Sequence, residues 1–173
     1  MAMTLRLRKF ALTVHITCSL GLLGAIACFL ALAIAGLASR DAPMVRAAYL
    51  AMELIAWFVI VPFAFASLLT GFVQSLGTEW GLFRHYWVTV KLLLTVLATI
   101  ILLLKMELIS SVATAAAETT LSSTDLRQAR IELVVHASGG LLVLLIPVVL
   151  SVYKPRGMTR YGWRRQHAPS PGC

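Results

Sequence analysis

The chain has 173 residues, of which 60% are hydrophobic and only 13% are charged, and its mean hydropathy is +0.88. An ordinary soluble domain carries about 25% charged residues, so this composition excludes a soluble enzyme, a disordered regulator and a secreted disulfide scaffold. The length allows one domain, and the formal net charge of +8 would suggest a nucleic-acid partner only if the protein were soluble.

Four apolar stretches follow one another along the chain, and each is long enough to cross a bilayer, which needs about 20 mostly apolar residues. Lipid offers the backbone no hydrogen-bond partner, so these stretches are helices. The sequence therefore predicts an all-α membrane protein with a single domain over residues 1–173, folded as an up-down-up-down bundle of four transmembrane helices. The predicted helices cover 8–38, 47–71, 86–110 and 125–153, and a basic tail follows over 154–173.

Lysine and arginine are distributed unevenly between the two sides that this topology defines. The side with both termini carries ten of them and one acid, which gives +9, whereas the other side carries five and six acids, which gives −1. The positive-inside rule then predicts a multi-pass protein of the cell membrane with both termini cytoplasmic. The basic tail is expected to meet anionic lipid headgroups, and nucleic acid is not an expected partner.

Five ionisable side chains lie at or near membrane depth, where such groups are costly and mark functional sites by default. They are His15, Glu53, His85, Lys91 and His136. Imidazole is the commonest metal ligand, and helical bundles hold cofactors between facing side chains. The sequence has no short-spaced metal motif, so the histidines favour haem b ligated from different helices.

Depth decides which of these histidines can share one haem iron. His15 lies near the inner boundary and His136 near the outer one, which puts them about 19 Å apart in a core of about 30 Å. We therefore predict His15 and His85 as the metal ligands, with His136 as an alternate ligand or a second site. Gly139 and Gly140 follow His136 on its own face, where they leave room for a flat macrocycle or for close helix packing.

Residues near the inner end complete the predicted haem-binding site. Arg84 is the cation expected to meet the haem propionates, and Trp80, Tyr86 and Trp87 are expected to wall the pocket. The alternatives are simpler. The aromatic residues also fit an interfacial anchoring belt, and the imidazole of His15 also fits a donor to a carbonyl of a neighbouring helix.

Four motifs carry a resemblance to a known family. The segments 77–87 (GTEWGLFRHYW) and 152–162 (VYKPRGMTRYG), with Thr-Val-His15 and Val-Val-His136, resemble a family of small bacterial four-helix integral membrane proteins. The resemblance covers nearly the whole chain and implies a compact bundle with histidines at the positions of His15, His85 and His136. More loosely, the chain is similar to membrane b-type cytochromes and copper-resistance inner-membrane proteins. It lacks the paired histidines on single helices of a full di-haem cytochrome.

Three functions follow from these residues. The leading hypothesis is a haem b-binding protein that acts in electron transfer or as a small membrane oxidoreductase, with a quinone or another redox partner. The second is a proton-linked transporter or ion-handling protein with Glu53, Lys91 and His136 as its relay, and a Glu53–His136 pair is also the structural alternative to haem ligation. The third is a non-catalytic subunit or assembly factor whose small-residue helix faces associate in the lipid bilayer, including as a homodimer.

Overall fold

The computed structural model describes residues 4–77, 86–118 and 124–153, and within these ranges it is helical with no strand. Since α2, a π-helical turn and α3 continue one another, the chain forms four spans, numbered 1 to 4 in chain order. All four are long and apolar enough to cross a membrane. The elements are α1 (Leu5–Ala38), α2 (Ala42–Ile55), the π-helical turn (Ala56–Ile60), α3 (Val61–Gly77), α4 (Tyr86–Ala117) and α5 (Thr124–Tyr153).

The predicted all-α bundle of four membrane helices is confirmed, and its helices are longer than the apolar stretches alone indicate. Span 2 begins at Ala42 and ends at Gly77, beyond the predicted 47–71, and α4 continues past residue 110 to Ala117. A helix of 34 residues, the length of α1, measures about 51 Å against a hydrocarbon core of about 30 Å. The helices therefore continue out of the apolar layer at one or both ends.

Each span packs against two neighbours. Span 1 contacts spans 2 and 4, and span 3 contacts the same two. Residue numbers rise along α1 as they fall along span 2, from the contact of His15 with Gly71 to that of Gly36 with Tyr49, so these two spans are antiparallel. We call the end where α1 begins and α5 ends the proximal end, and the opposite one the distal end.

Apolar side chains occupy both the inside and the outside of the bundle. Tyr49, Met52 and Val112 are almost fully buried among the helices, whereas Phe58 is 75% exposed and Leu104 is 73% exposed. An aqueous protein rarely exposes contiguous apolar surface of this extent. The outer surface is therefore matched to lipid.

The π-helical turn in span 2 is explained by Pro62, which follows it. Proline has no backbone N–H, and its ring clashes with the carbonyl four residues earlier, here that of Phe58. The helix widens before this point, and the Val61 N–H bonds the carbonyl of Ala56, five residues back. The sequence indicates a kink at Pro62, and the structure places this wider turn there.

Glycines in α1 bring span 2 close to span 1. A Cβ on Gly21 would lie 2.8 Å from the Phe63 ring, and one on Gly36 would lie 2.9 Å from the Tyr49 ring. Both contacts are shorter than carbon atoms tolerate, so these positions accept only glycine without movement of the neighbour. Gly24 has no such neighbour. Part of the small-residue face that predicts a homodimer is thus already used inside the bundle.

Candidate functional site

Only some of the predicted site residues lie in the described part of the chain. His15 is in α1, His136 is in α5 and Tyr86 begins α4 with its side chain exposed. Trp87 belongs to α4 by its backbone. The other three, Trp80, Arg84 and His85, fall outside the described residues, so the predicted ligation by His15 and His85 stays a prediction.

The imidazole of His15 is engaged between α1 and α3. Its Nδ1 lies 3.0 Å from the Thr70 hydroxyl oxygen, and that hydroxyl lies 2.6 Å from the carbonyl of Ala66. Because the Thr70 proton is used on the carbonyl, His15 donates through Nδ1 and keeps its lone pair on Nε2. A Cβ on Gly71 would lie 3.2 Å from Cε1 of His15. The missing side chain of Gly71 thus makes room for the ring.

Two more polar contacts lie one turn on either side of His15. The amide of Gln74 donates to the carbonyl of Ala11 at 2.8 Å, and the hydroxyls of Ser19 and Ser67 are 2.9 Å apart. Together with the His15–Thr70 contact they form a polar seam between α1 and α3, in the half of the helix pair towards the proximal end. In lipid such contacts hold helices together, so His15 has a structural role here whatever else it binds.

His136 lies in a second polar group, with Lys105 of α4 and Glu132 of its own helix. Its Nδ1 donates to the Glu132 carbonyl at 2.8 Å and lies 3.9 Å from the Glu132 carboxylate, which pairs with Lys105 at 2.6 Å. A carbonyl can only accept, so Nδ1 carries the proton and Nε2 carries the lone pair. This is the arrangement that second-shell carbonyls impose on metal-binding histidines. We call these three residues the mouth cluster.

An apolar cavity of about 330 Å³ lies beside the mouth cluster, within the range of about 300–1,000 Å³ that small-molecule sites occupy. All four spans line it. Phe29 of α1, Ala64 of α3, Thr99 of α4 and Gly140 of α5 contribute to its wall, together with His136. Val135 of α5, another wall residue, is 61% exposed on the outer surface, which indicates that the cavity reaches the lipid-facing side of the bundle.

Gly139 and Gly140 keep the cavity open beside His136. Both line it, and a Cβ built on either would meet no heavy atom of the described residues within 4 Å. Within the described bundle these glycines therefore do not serve close helix packing, which was one of the two interpretations of the sequence. They leave free space on the helix face that carries His136, which is the condition for a flat ligand to approach that ring.

The two described histidines are too far apart to share one iron. Arg130 of α5 bonds the carbonyl of Gly36, which sets a common depth for the two helices at the distal end. His15 is 21 residues from Gly36 and His136 is 6 residues from Arg130. At 1.5 Å per residue these separations are about 31 Å and about 9 Å, so the histidines differ by about 22 Å along the bundle.

The described residues hold no group of three histidine, cysteine, aspartate or glutamate side chains that could bind a metal ion. They also do not assemble the predicted proton relay. Lys91 contacts Ser151 near the proximal end, whereas His136 contacts Glu132. The 14 residues from Lys91 to Lys105 of the mouth cluster correspond to about 21 Å. The expected pair of Glu53 with His136 is not among the contacts of the described residues, and the contacts of His136 there are with Glu132 of its own helix.

Arg130, which was not among the predicted site residues, joins three spans at the distal end. Its Nε donates to the Tyr49 hydroxyl at 2.8 Å, its Nη2 donates to the Gly36 carbonyl, and its guanidinium lies 5.3 Å from the centre of the Tyr49 ring. By sequence it was one of five outer cations. The available signal was a second arginine inside the predicted helix, three residues after Arg127.

Comparison of the chain with family models, with curated proteins and with solved structures finds no match. No residue role is therefore transferred from a relative. The functional interpretation depends on the geometry around His136 and His15 alone.

Proposed function

We propose that the protein binds haem b in the membrane and acts in electron transfer or as a small membrane oxidoreductase. The observation that carries the proposal is His136 at the wall of the apolar cavity, with its Nδ1 proton held by the Glu132 carbonyl. That hydrogen bond fixes the tautomer in which Nε2 is available as a ligand. Haem, when bound, supplies the one-electron redox chemistry, and the protein supplies position and polarity.

The residues around His136 fit such a group in three respects. The cavity wall is mostly apolar, the space over Gly139 and Gly140 is free, and Lys105 lies at the cavity as a cation for a propionate. A cavity of about 330 Å³ lies near the lower end of the range for ligand sites. A ligand of haem size would thus extend between α4 and α5 towards lipid.

The site predicted at the inner end belongs to the same proposal as a second position. There His15 and His85 would be the ligands, Arg84 would meet a propionate, and Trp80, Tyr86 and Trp87 would be the walls. Only the Nε2 of His15 is supported by a described contact, because Nδ1 is used on Thr70. The separation of about 22 Å along the bundle requires two haems if both positions are used.

Histidine variants distinguish the two positions. The protein is purified in detergent from haem-replete cells, and its visible spectrum is recorded before and after reduction with dithionite. We expect His136→Ala to lose the haem absorption of the cavity site, and His167→Ala, in the basic tail, to keep the full spectrum as the matched control. If absorption disappears only in His15→Ala and His85→Ala, the haem lies at the inner end and the assignment to the cavity is wrong.

A second variant tests the cavity without touching a ligand. Gly140→Leu places a side chain in the free space beside His136, so we expect it to exclude haem while the bundle remains folded. Gly24→Leu is the control, because Gly24 is equally unobstructed but lies outside the cavity wall. Full haem content in Gly140→Leu, with native helicity by circular dichroism, would contradict binding in the cavity.

We also infer that both termini lie in the cytoplasm of a cell-membrane protein. The side that carries both termini has ten lysine and arginine residues, whereas the other side has five, and such an excess is typical of the cytoplasmic side. A membrane-impermeant maleimide applied to intact cells should label Arg40→Cys, in the turn between α1 and α2, and leave Cys173 of the tail unlabelled. Labelling of Cys173 in intact cells would reverse the orientation.

A further inference from the structure

Two polar side chains on the outer surface of span 2 have no partner in the described part of the chain. Glu53 is half-buried and Trp57 is 49% exposed. No hydrogen bond or ion pair joins either side chain to another described residue. They are one helical turn apart and therefore share a face of the helix.

Both side chains lie within the apolar layer. The part of span 2 that is long and apolar enough to cross a membrane covers Ala42–Ser75, with its centre between residues 58 and 59. A core of about 30 Å covers about ten residues on each side of that centre. Trp57 is thus close to the middle of the bilayer, and Glu53 is about 7 Å inside the core boundary. Tryptophan prefers the interface, where its N–H meets water or headgroups, so this depth leaves the indole N–H without a solvent partner.

Several other polar side chains at depth are satisfied within the bundle. The hydroxyls of Ser19 and Ser67 bond each other, Thr99 donates to the Thr95 carbonyl, and His15 bonds Thr70. In hydrocarbon an unpaired polar group is costly. The pair on span 2 is an exception among the described residues, which indicates that its partner lies outside this chain.

The two groups are complementary to each other. An indole N–H only donates, and a carboxyl group presents oxygen acceptors in either protonation state. In a two-fold dimer, if residue i of one copy contacts residue j of the other, residue j of the first copy also contacts residue i of the second. Trp57 offers a donor and Glu53 an acceptor, one turn apart on the same face. A second copy of the chain can therefore form two equivalent hydrogen bonds, one from each Trp57 to the Glu53 of the other copy.

We propose that span 2 is the interface of a homodimer in which Trp57 of each copy donates to Glu53 of the other. The two-fold axis runs along the membrane normal, so the two spans are parallel. In coiled coils, side chains at e and g positions make similar reciprocal contacts between parallel helices, with an offset of about one helical turn. This interface is independent of haem binding.

Association in lipid tests the proposal. The full chain is labelled with donor and acceptor fluorophores and reconstituted into phosphatidylcholine vesicles, and energy transfer is followed as the protein is diluted in lipid. We expect the wild type to dimerise. We expect Trp57→Phe and Glu53→Leu each to weaken dimerisation by about tenfold, since two interhelix hydrogen bonds of about 0.6 kcal/mol are lost. Glu53→Gln keeps an acceptor and should dimerise as the wild type does.

Phe58→Leu is the control, because Phe58 neighbours Trp57, faces lipid and carries no polar atom. Circular dichroism and the monomer's migration show whether each variant is folded, and Trp57→Phe retains most of the original ring. A monomeric wild type at every dilution would overturn the proposal, as would equal dimerisation of Trp57→Phe and Phe58→Leu. Loss of the dimer in Gly24→Ile alone would also overturn it, since the interface would then be the exposed small-residue face of α1.

Discussion

Arg130 is predicted to be the strongest single polar contributor to the distal end of the bundle. Its guanidinium donates to the hydroxyl of Tyr49 and to the carbonyl of Gly36, so it connects α5 to spans 1 and 2. Methionine in place of Arg130 is also a long, unbranched side chain, but it is apolar and provides neither of the two donors. Because Tyr49 is 1% exposed, no solvent replaces the donor that its hydroxyl loses.

The magnitude follows from the contacts. Interhelix hydrogen bonds in membrane proteins contribute about 0.6 kcal/mol on average and up to about 1.7 kcal/mol, so two of them give about 1–3 kcal/mol. The guanidinium above the Tyr49 ring adds about 0.5–2 kcal/mol. We therefore expect Arg130→Met to lower the free energy of unfolding by about 1.5–5 kcal/mol, a change of roughly 10- to 4,000-fold in the unfolding equilibrium.

The assay is unfolding in mixed micelles with increasing sodium dodecyl sulfate, followed by far-ultraviolet circular dichroism. Arg127→Met is the matched control, because Arg127 lies on the same helix and is exposed. Tyr49→Phe removes the hydroxyl acceptor alone, so its effect should be smaller and should overlap with that of Arg130→Met in the double variant. Unfolding of Arg130→Met and Arg127→Met at the same detergent fraction would show that the contacts of Arg130 do not stabilise the bundle.

Three further predictions concern the contacts between spans 1 and 2. Gly36→Ala should lower the free energy of unfolding by about 1–3 kcal/mol, because its Cβ would overlap the buried tyrosine ring, whereas Gly24→Ala should be neutral in the same titration. Gly71→Ala should displace the His15 ring, detected as a shift of its imidazole resonances in NMR, and unshifted resonances would contradict the contact. Ser19→Ala should cost about 0.6 kcal/mol and should become nearly neutral once the facing serine of α3 is also alanine. Additive costs in that double variant would exclude the hydrogen bond.

The fold was predictable because a helix that crosses the lipid layer must be mostly apolar along its length, and such runs are visible in the sequence. The four spans follow from apolar runs longer than about 20 residues, and the extension of α4 through an alanine-rich segment to Ala117 follows from high helix propensity. The sequence could not show that the irregularity near Pro62 is a π-helical turn. Pro62 marks where regular α-helix must fail, but whether a helix kinks or widens there depends on the helices that pack against it.

The candidate site was predictable only in part, because its contacts depend on the register between distant helices. His136 and its glycines are adjacent in sequence, so their shared face follows from the helical period. The contacts of His15 with Thr70 and of Arg130 with Tyr49 join residues 55 and 81 positions apart. A single sequence contains no signal for such pairings. Glu53 and His136 were expected to lie at the same depth, which suggested that they pair. In the structure His136 contacts Glu132 of its own helix instead.

The haem content of the purified protein decides whether haem binds at His136. The wild type and His136→Ala are expressed with ample haem, purified in detergent, and assayed as pyridine haemochromes against protein concentration. We expect a wild type that carries haem b at one or two equivalents and a His136→Ala variant that has lost one equivalent while keeping its helicity. A colourless wild type, or a variant with the full haem content of the wild type, would contradict haem binding at His136.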